Sequence, residues 1–384
     1  MKRKVATVVT ARPSYARIKT ALQAIQQHPD LELQLIVAAS ALLDRYGNII
    51  QYIEKDGFEV AARVYIVLEG ENLVTSAKST GLGIMELATI FDNLQPDVVV
   101  TVADRYETLA TAVAAAYMNI PVAHVQGGEV TGSVDGKVRH AVTKLADLHF
   151  PSTQAAGERI IRMGEDPKTV FVTGCPSIDL AAMIMANPAM DFDPFSKYGG
   201  VGTSRALSKG YVVVMQHPVT TQFEDSRAQI EESLKAVEAL NYPTIWFWPN
   251  VDAGSDEISR GIRVFRERGR GNDFHYFKNM EPNDFLRLIY NSKAFIGNSS
   301  VGIRECSFMG TPAINIGDRQ AGRERGRNIV DVPYDAQKIK EAIDHQLAHG
   351  RYETEYLYGD GKAGPRIAEL LATSELRIAK QVSY

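Results

Sequence analysis

Residues 294–326 read AFIGNSSVGIRECSFMGTPAINIGDRQAGRERG, and the fold of the chain turns on how they are parsed. The apolar run 294–296 predicts a strand and Gly297-Asn298-Ser299-Ser300 a small polar turn. A helix is expected next, with Ile303, Cys306, Ser307 and Gly310 on one packed face. A second strand at 311–316 follows, then a loop carrying Arg319, Arg323 and Arg325. A strand, turn and helix in this order leave backbone N–H groups pointing forward, and the helix dipole adds partial positive charge, so an anion fits at the turn. Glu305 lies in the first turns of the helix, where its carboxylate can accept from two ribose hydroxyls, and arginine suits bidentate phosphate contact. The same residues also suit a plain capped helix and a basic surface loop, since Asn-Ser-Ser is an ordinary N-cap sequence.

Outward from this stretch the alternation continues. Segments 4–10, 33–39, 97–103, 121–125, 147–151 and 169–173 are short, β-branched and apolar on both faces, the pattern of buried parallel strands. Helical stripes lie between them, Ile18, Ala21, Leu22 and Ile25 in one and Ile84, Leu87, Ala88 and Phe91 in another. In the second half, strands at 211–216, 243–248, 273–277, 293–297 and 311–316 alternate with helices such as 225–240 and 281–290. The pattern predicts an α/β protein of two doubly wound parallel-sheet domains, 1–186 and 211–360, joined by a Pro-, Gly- and Ser-rich linker at 187–210. The remainder, 361–384, holds a last helix at 366–381 that packs back on the first domain. Ligands of open α/β sheets bind at the carboxyl ends of the strands, which makes the cleft between the domains the expected site.

The 384 residues are 45% hydrophobic and 23% charged, enough for two full cores. A net charge of −4 with no face-sized basic run argues against nucleic acid or a membrane surface as partner. The opening MKRKVATVVTARP places basic residues before apolar ones, but the apolar part is short and runs into Arg12-Pro13, which predicts a first strand rather than a signal peptide. Only Cys175 and Cys306 are present, in no metal-ligand spacing, and the histidines show no paired helical spacing. A reducing cytoplasm and no metal centre are expected.

The loops after the strands hold the candidate site residues. Arg12 and Ser14 follow the first strand, Ser14 as a helix N-cap. Asp104 and Arg105 follow 97–103, and Asp104 reads equally as a site carboxylate and as the N-cap of a helix over 105–118. The loop 126–136, QGGEVTGSVDG, sets Gln126, Glu129 and Asp135 among glycines, with Arg139 and His140 just beyond, more carboxylate than a connector needs. His217 ends one strand of the second half, and Asn250 and Asp252 follow another. A histidine there is either a packed core residue or a cleft group titrating near neutrality. The company of Asn250, Asp252, Ser299 and Ser300 at equivalent strand ends favours the cleft.

Taken together, Asp104-Arg105, GGEVTGSVD (127–135), RHAVTKLADLHF (139–150), GCPSID (174–179), QHPVTT (216–221), PNVDAGS (249–255), GNSSVGIRE (297–305) and GTPAINIGDRQAGRE (310–324) resemble the hydrolysing UDP-N-acetylglucosamine 2-epimerases of sialic-acid and related nonulosonate pathways. The resemblance runs in order through nearly the whole chain. It implies the GT-B fold, two Rossmann-like domains closing on a nucleotide sugar, with no cofactor and no metal, and a homodimer or homotetramer as the assembly. It also implies a UDP holder: Ser299, Ser300 and Gly302 at the diphosphate, Glu305 on the ribose, the backbone near Met280 on the uracil, and Arg319 and Arg323 close by. Arg12, Arg105, His217, Asn250 and Asp252 fall on positions tied to substrate binding or catalysis.

The chemistry implied is elimination of UDP across carbons 1 and 2 to a 2-acetamidoglucal, then addition of water with inversion at carbon 2, giving N-acetylmannosamine and UDP. A proton on carbon is weakly acidic, so it needs a positioned base and a leaving group whose charge is stabilised. Asp104 and Asp135 supply acid/base candidates, and His217 acts at the glycosidic phosphate. Three positions depart from the family pattern: Gln126 and Ser14 stand where relatives carry acidic residues, and Gly136 replaces a second acidic residue after Asp135. Proton transfer is therefore assigned to Asp135, helped by Glu129 or Asp104, with Gln126 orienting the acetamido group or a water. The departures also fit a 2,4-diacetamido-6-deoxy sugar nucleotide of the legionaminic-acid type as substrate. A non-hydrolysing 2-epimerase, a GT-B glycosyltransferase and a catalytically silent nucleotide-sugar sensor are the competing classes. Arg260 and Arg263 fall where the animal relative binds CMP-sialic acid, and both are also natural exposed helix residues.

Overall fold

The structure, a computed structural model, describes residues 1–44, 49–69, 72–131, 135–249 and 254–381. The chain divides into two compact units: the first draws on residues up to Leu180 and from Tyr358 onward, the second on Ala181–Leu357. In the first, β1 (Arg3–Val9), β2 (Leu31–Ala38), β3 (Val60–Val64), β4 (Val98–Val102), β5 (Val122–Val125) and β6 (Leu148–Phe150) form a parallel sheet in the order β3-β2-β1-β4-β5-β6. Both faces of the inner strands are covered, which is why β4 and β5 read as buried throughout. Val5 and Val9 of β1 cluster with Ile18, Leu22 and Ile25 of helix Arg12–Gln27, whereas Ala6 and Val8 cluster with Leu87 and Phe91 of helix Leu73–Leu94. Ile367, Ala368 and Leu371 of helix Ala363–Thr373 complete the first of these clusters. At about 1.5–3 kcal/mol for each large aliphatic side chain buried, that helix is a working part of the core.

The second unit contains β7 (Val201–Gly202), β8 (Val212–Met215), β9 (Thr244–Phe247), β10 (Phe274–Phe277), β11 (Ala294–Gly297), β12 (Ala313–Ile316) and β13 (Ile329–Val332) in the order β13-β12-β11-β8-β9-β10-β7. All pairs are parallel except β7 with β10. From β8 to β13 the strand order repeats that of the first sheet, the Rossmann arrangement in both cases. In each sheet the chain winds first one way and then the other. Successive connections therefore diverge between β1 and β4, and between β8 and β11, which opens a crevice at those carboxyl ends.

Several expected elements differ. The stretch 187–210 is not a bare linker: it belongs to the second unit, and its short helix Pro194–Tyr198, capped by Asp193, leads into the edge strand β7. An edge strand of two residues tolerates the glycine that made this stretch look unstructured. Segment 169–173 holds only an isolated bridge from Val170 to His149. β3 and β13 have exposed or half-buried positions and so lack the apolar run that marks the others. The last helix starts and ends earlier than 366–381. The helix expected after Ser300 is two short pieces, Ser300–Ile303 and Glu305–Met309, parted at Arg304. Among the described residues no helix is long and apolar enough to cross a membrane.

Candidate active site

At the divergence point of the second unit, Gly297 closes β11 with φ 136°, and a Cβ there would lie 2.0 Å from the carbonyl oxygen of Met215 at the end of β8. Glycine alone lets the two strand ends approach this closely. Asn298 exploits the approach. Its Oδ1 accepts from the His217 N–H at 2.7 Å, and its Nδ2 donates to the His217 carbonyl at 2.8 Å and lies 3.4 Å from the Tyr334 hydroxyl. The Asn298 carbonyl accepts from Gln320 Nε2 at 2.8 Å and Arg319 Nη1 at 3.3 Å. The loops after β8, β11 and β12 thus meet on one buried residue, the first through its side chain and the last through its carbonyl, a residue that reading the sequence leaves as a letter of a capping turn. The available signal was position: an amide between a strand-ending glycine and an N-cap serine.

Ser299 is that N-cap. Its Oγ accepts from the Val301 N–H at 3.4 Å and its carbonyl from the Gly302 N–H at 3.1 Å. The expected row of forward-pointing N–H groups is accordingly shorter, and a four-residue helix carries little of a macrodipole. The turn presents buried Ser299 and Ser300, followed by buried Glu305. Gly302 packs on β11, where a Cβ would lie 3.0 Å from the Phe295 ring.

Of the three arginines, Arg325 is withdrawn into the loop's own structure. It pairs with Asp331 at 3.0 and 3.2 Å and donates to the carbonyls of Gln320 at 2.9 Å and Arg323 at 2.8 Å. It shapes the loop bearing half-buried Arg319 and buried Arg323. Met280, in the loop after β10, is buried, and its N–H is taken by Asn279 Oδ1 at 2.9 Å. Asn250 and Asp252 lie outside the described residues. Arg260 and Arg263 are exposed on helix Ser255–Glu267, Arg260 lying 3.6 Å from Glu257, the ordinary arrangement of a solvated helix face.

In the first unit the candidates follow β1, β4 and β5, three adjacent strands. Arg12 opens helix Arg12–Gln27, and burial lowers its pKa to about 10, which leaves it protonated at neutral pH. Ser14 is not the N-cap; Ala11 is. Ser14 Oγ instead accepts from the Ala11 N–H at 2.9 Å and donates to the Ala11 carbonyl at 2.7 Å. Asp104 is not an N-cap either, because helix Tyr106–Tyr117 begins after Arg105. Its carboxylate pairs with the fully buried Arg139 and lies 4.0 Å from Arg17. Arg139 also donates to the Glu129 carbonyl at 2.9 Å, and Arg105 pairs with fully buried Glu107 at 3.2 Å. A carboxylate already engaged by guanidinium groups serves as an anchor better than as a proton acceptor. Glu129, which is buried, and Asp135 are the other two carboxylates expected here. Asp135 opens helix Asp135–Leu145, which carries Arg139; its side chain lies outside the described residues.

Three non-glycine residues at these strand ends adopt left-handed backbone: Ala39 (φ 53°) after β2, Ala103 (φ 69°) after β4 and Gln126 (φ 64°) after β5. Each such residue costs about 1–3 kcal/mol and persists only where its surroundings hold it. His124 holds Ala103: its Nε2 lies 2.9 Å from the Ala103 carbonyl, and burial lowers its pKa to about 4, so the ring is neutral and Nε2 carries the donated proton. Gln126 is held by its own N–H on the Phe150 carbonyl and by its Nε2 on the Cys175 sulfur, both at 3.0 Å. Cys175 Sγ in turn lies 2.9 Å from Ser177 Oγ. The Gln126 amide is 1% exposed, its Nε2 on Cys175 and its Oε1 with no hydrogen-bond partner among the described residues, so it braces its loop with one end and keeps the other end open. Gly128 (φ 74°) is demanded by packing, since a Cβ there would lie 2.3 Å from the Ala156 carbonyl oxygen. Among the described residues no group of three or more His, Cys, Asp or Glu is placed to hold a metal ion.

The UDP-N-acetylglucosamine 2-epimerase family model matches residues 23–372. The chain is 32% identical over 376 residues to the hydrolysing UDP-N,N'-diacetylbacillosamine 2-epimerase of Legionella pneumophila, across 98% of this chain and 97% of that protein. It is 28% identical over 376 residues to the UDP-N-acetylglucosamine 2-epimerase of Neisseria meningitidis, across 97% of this chain and 96% of that one. Its backbone is similar to the crystal structure of the Methanocaldococcus jannaschii UDP-GlcNAc 2-epimerase in complex with UDP-GlcNAc and UDP, with TM-score 0.78 at 17% identity over 97% of this chain and 100% of the other, a likeness of fold. With two Rossmann-like units of the GT-B type and a family match over nearly its whole length, the chain belongs to the UDP-N-acetylglucosamine 2-epimerase family, among its hydrolysing members.

Proposed function

We propose that the protein converts a UDP-linked 2-acetamido sugar and water into UDP and the free sugar inverted at carbon 2. The observation that carries this reading is the content of the two divergence points. One gathers a serine turn, a buried glutamate and an arginine loop, which suits a nucleoside diphosphate; the other gathers carboxylates and guanidinium groups, which suits proton transfer.

In this reading Ser299, Ser300, Gly302, Arg319 and Arg323 hold the diphosphate, Glu305 the ribose, and the backbone near Met280 the uracil. Asp135 takes the carbon-2 proton, with Glu129 as the second carboxylate, while Asp104 acts through Arg139 as an anchor. The carbon 1–oxygen bond breaks with its electron pair leaving on UDP, and His217 stabilises or protonates the departing phosphate oxygen. Water then supplies hydroxyl to carbon 1 and a proton to carbon 2 on the opposite face. Arg12, Arg105, Asn250 and Asp252 orient the sugar. For the substituent at carbon 4 we assign a second acetamido group, the substrate type named for the Legionella relative. UDP-N-acetylglucosamine, giving N-acetylmannosamine, is the second reading, favoured by the Neisseria relative.

Incubation with each sugar nucleotide in deuterated water, followed by NMR, tests both. The expected product is free 2-epimer deuterated at carbon 2 with stoichiometric UDP. A released UDP-linked epimer makes the protein non-hydrolysing, and binding without turnover makes it a sensor; either result overturns the proposal.

A further inference from the structure

We infer that Asn298 is a positioning residue that sets His217 in register with the arginine loop at the leaving group, a role that rests on the function proposed above. A primary amide is a side-chain copy of a peptide group, with a donor and an acceptor that can address one residue at once. Asn298 uses both on the N–H and the carbonyl of His217, at 2.7 and 2.8 Å. This adds a side-chain rung beyond the last backbone pair of the ladder, Gly297 with Met215.

With both peptide groups of His217 fixed, the backbone position from which its ring departs is fixed as well. The Asn298 carbonyl meanwhile receives Arg319 and Gln320, so the distance between histidine and arginine is set through a single residue that is 0% exposed. No other side chain of this size does the same. Aspartate would turn an acceptor toward the His217 carbonyl, and a leucine of similar volume would leave both peptide groups unmet. Leaving-group stabilisation is sensitive to placement, with an error near 1 Å costing on the order of a hundredfold.

The test is a double-mutant cycle. Asn298→Asp and Asn298→Ser are each made in the natural chain and in a His217→Ala background, and kcat, KM and UDP affinity are measured for all. Each single Asn298 change is expected to lower kcat about 10- to 100-fold with KM shifted less than about threefold. In the His217→Ala background the further loss should shrink to under about twofold, since the residue acts through the ring. Asn328→Asp serves as the structural control. Asn328 is also buried and holds its loop through the Thr311 carbonyl at 2.8 Å and the Ser307 hydroxyl at 2.7 Å, so this change should lower Tm and leave kcat alone. Losses that multiply across the cycle, or an equal kcat loss in Asn328→Asp, overturn the inference while leaving the epimerase reading intact. Absence of turnover in the natural chain overturns both. The serine variant carries the cycle if the aspartate variant does not fold.

Discussion

The two points where the sheet connections part are made of different materials. In the second unit the strand ends are drawn together by Gly297 and laced by Asn298, and the groups on show are hydroxyls, one carboxylate and arginines from a braced loop. In the first unit the strand ends carry left-handed Ala39, Ala103 and Gln126, and Asp104 and Arg139 form an ion pair with little access to water. Hydroxyls and arginines on a loop braced by short hydrogen bonds suit the holding of a group that must be bound and later released. Strained backbone and buried charge suit a step in which a proton moves, because small displacements there change energies steeply. One strand order is used twice, and under the proposed function the two kinds of work divide in the loops rather than in the sheets.

The strongest way to break this contrast is Asp135→Asn. It should lower kcat by about 10²- to 10⁴-fold while leaving UDP affinity, measured by calorimetry, within about twofold. Full activity in that variant would take the base assignment away from Asp135.

The next effect is one of stability with pH. His124 has its pKa lowered by burial to about 4 from 6.5, so as pH falls the unfolded chain takes up the proton first. The stability it contributes is present above about pH 6.5 and is lost as pH falls through the window from 6.5 to 4, on the order of 3 kcal/mol. His149, also lowered by burial, works in the same direction. Denaturant titrations across that window should show a flatter curve for His124→Gln; an unchanged slope would place the effect elsewhere.

The smallest expected effect sharpens the other side. Arg325 and Asp331 are partly solvent-exposed, and such pairs contribute about 0–1 kcal/mol. Arg325→Met should weaken UDP binding less than about fivefold through its loop and leave kcat unchanged. A kcat loss comparable to that of Asp135→Asn would erase the division of labour.

Much of the architecture was legible because burial on both faces forces continuous apolar strands, as in β4, VVVTV, or β8, VVVM. β7 and β13 escaped because an edge position frees a strand from that pattern, and the 187–210 stretch looked like a linker for the same reason. The site loops were legible as locations, since they follow strand ends. Their hydrogen bonds were not. Nothing in the spacing joins Gln126 Nε2 to Cys175, and Asn298 looks like a capping residue until Gly297 brings β8 within reach. Both depend on contacts between residues far apart in the chain, which spacing does not encode. The arginine count likewise overstated the anion site, because Asp331, six residues after Arg325, engages one of the three.

The helix Ala363–Thr373 also bears on synthesis. A ribosome delivers the N-terminal residues first, yet the core around β1 and helix Arg12–Gln27 waits for Ile367, Ala368 and Leu371. At roughly 5–20 residues per second, the stretch between Leu180 and that helix takes on the order of 10–40 s to emerge. Residues 181–357 arrive entirely within that interval, so the half of the protein that starts first is finished last. Until then Ile18, Leu22 and Ile25 lack the helix that completes their cluster, an apolar surface that a chaperone can bind and that a chain truncated before residue 363 would keep.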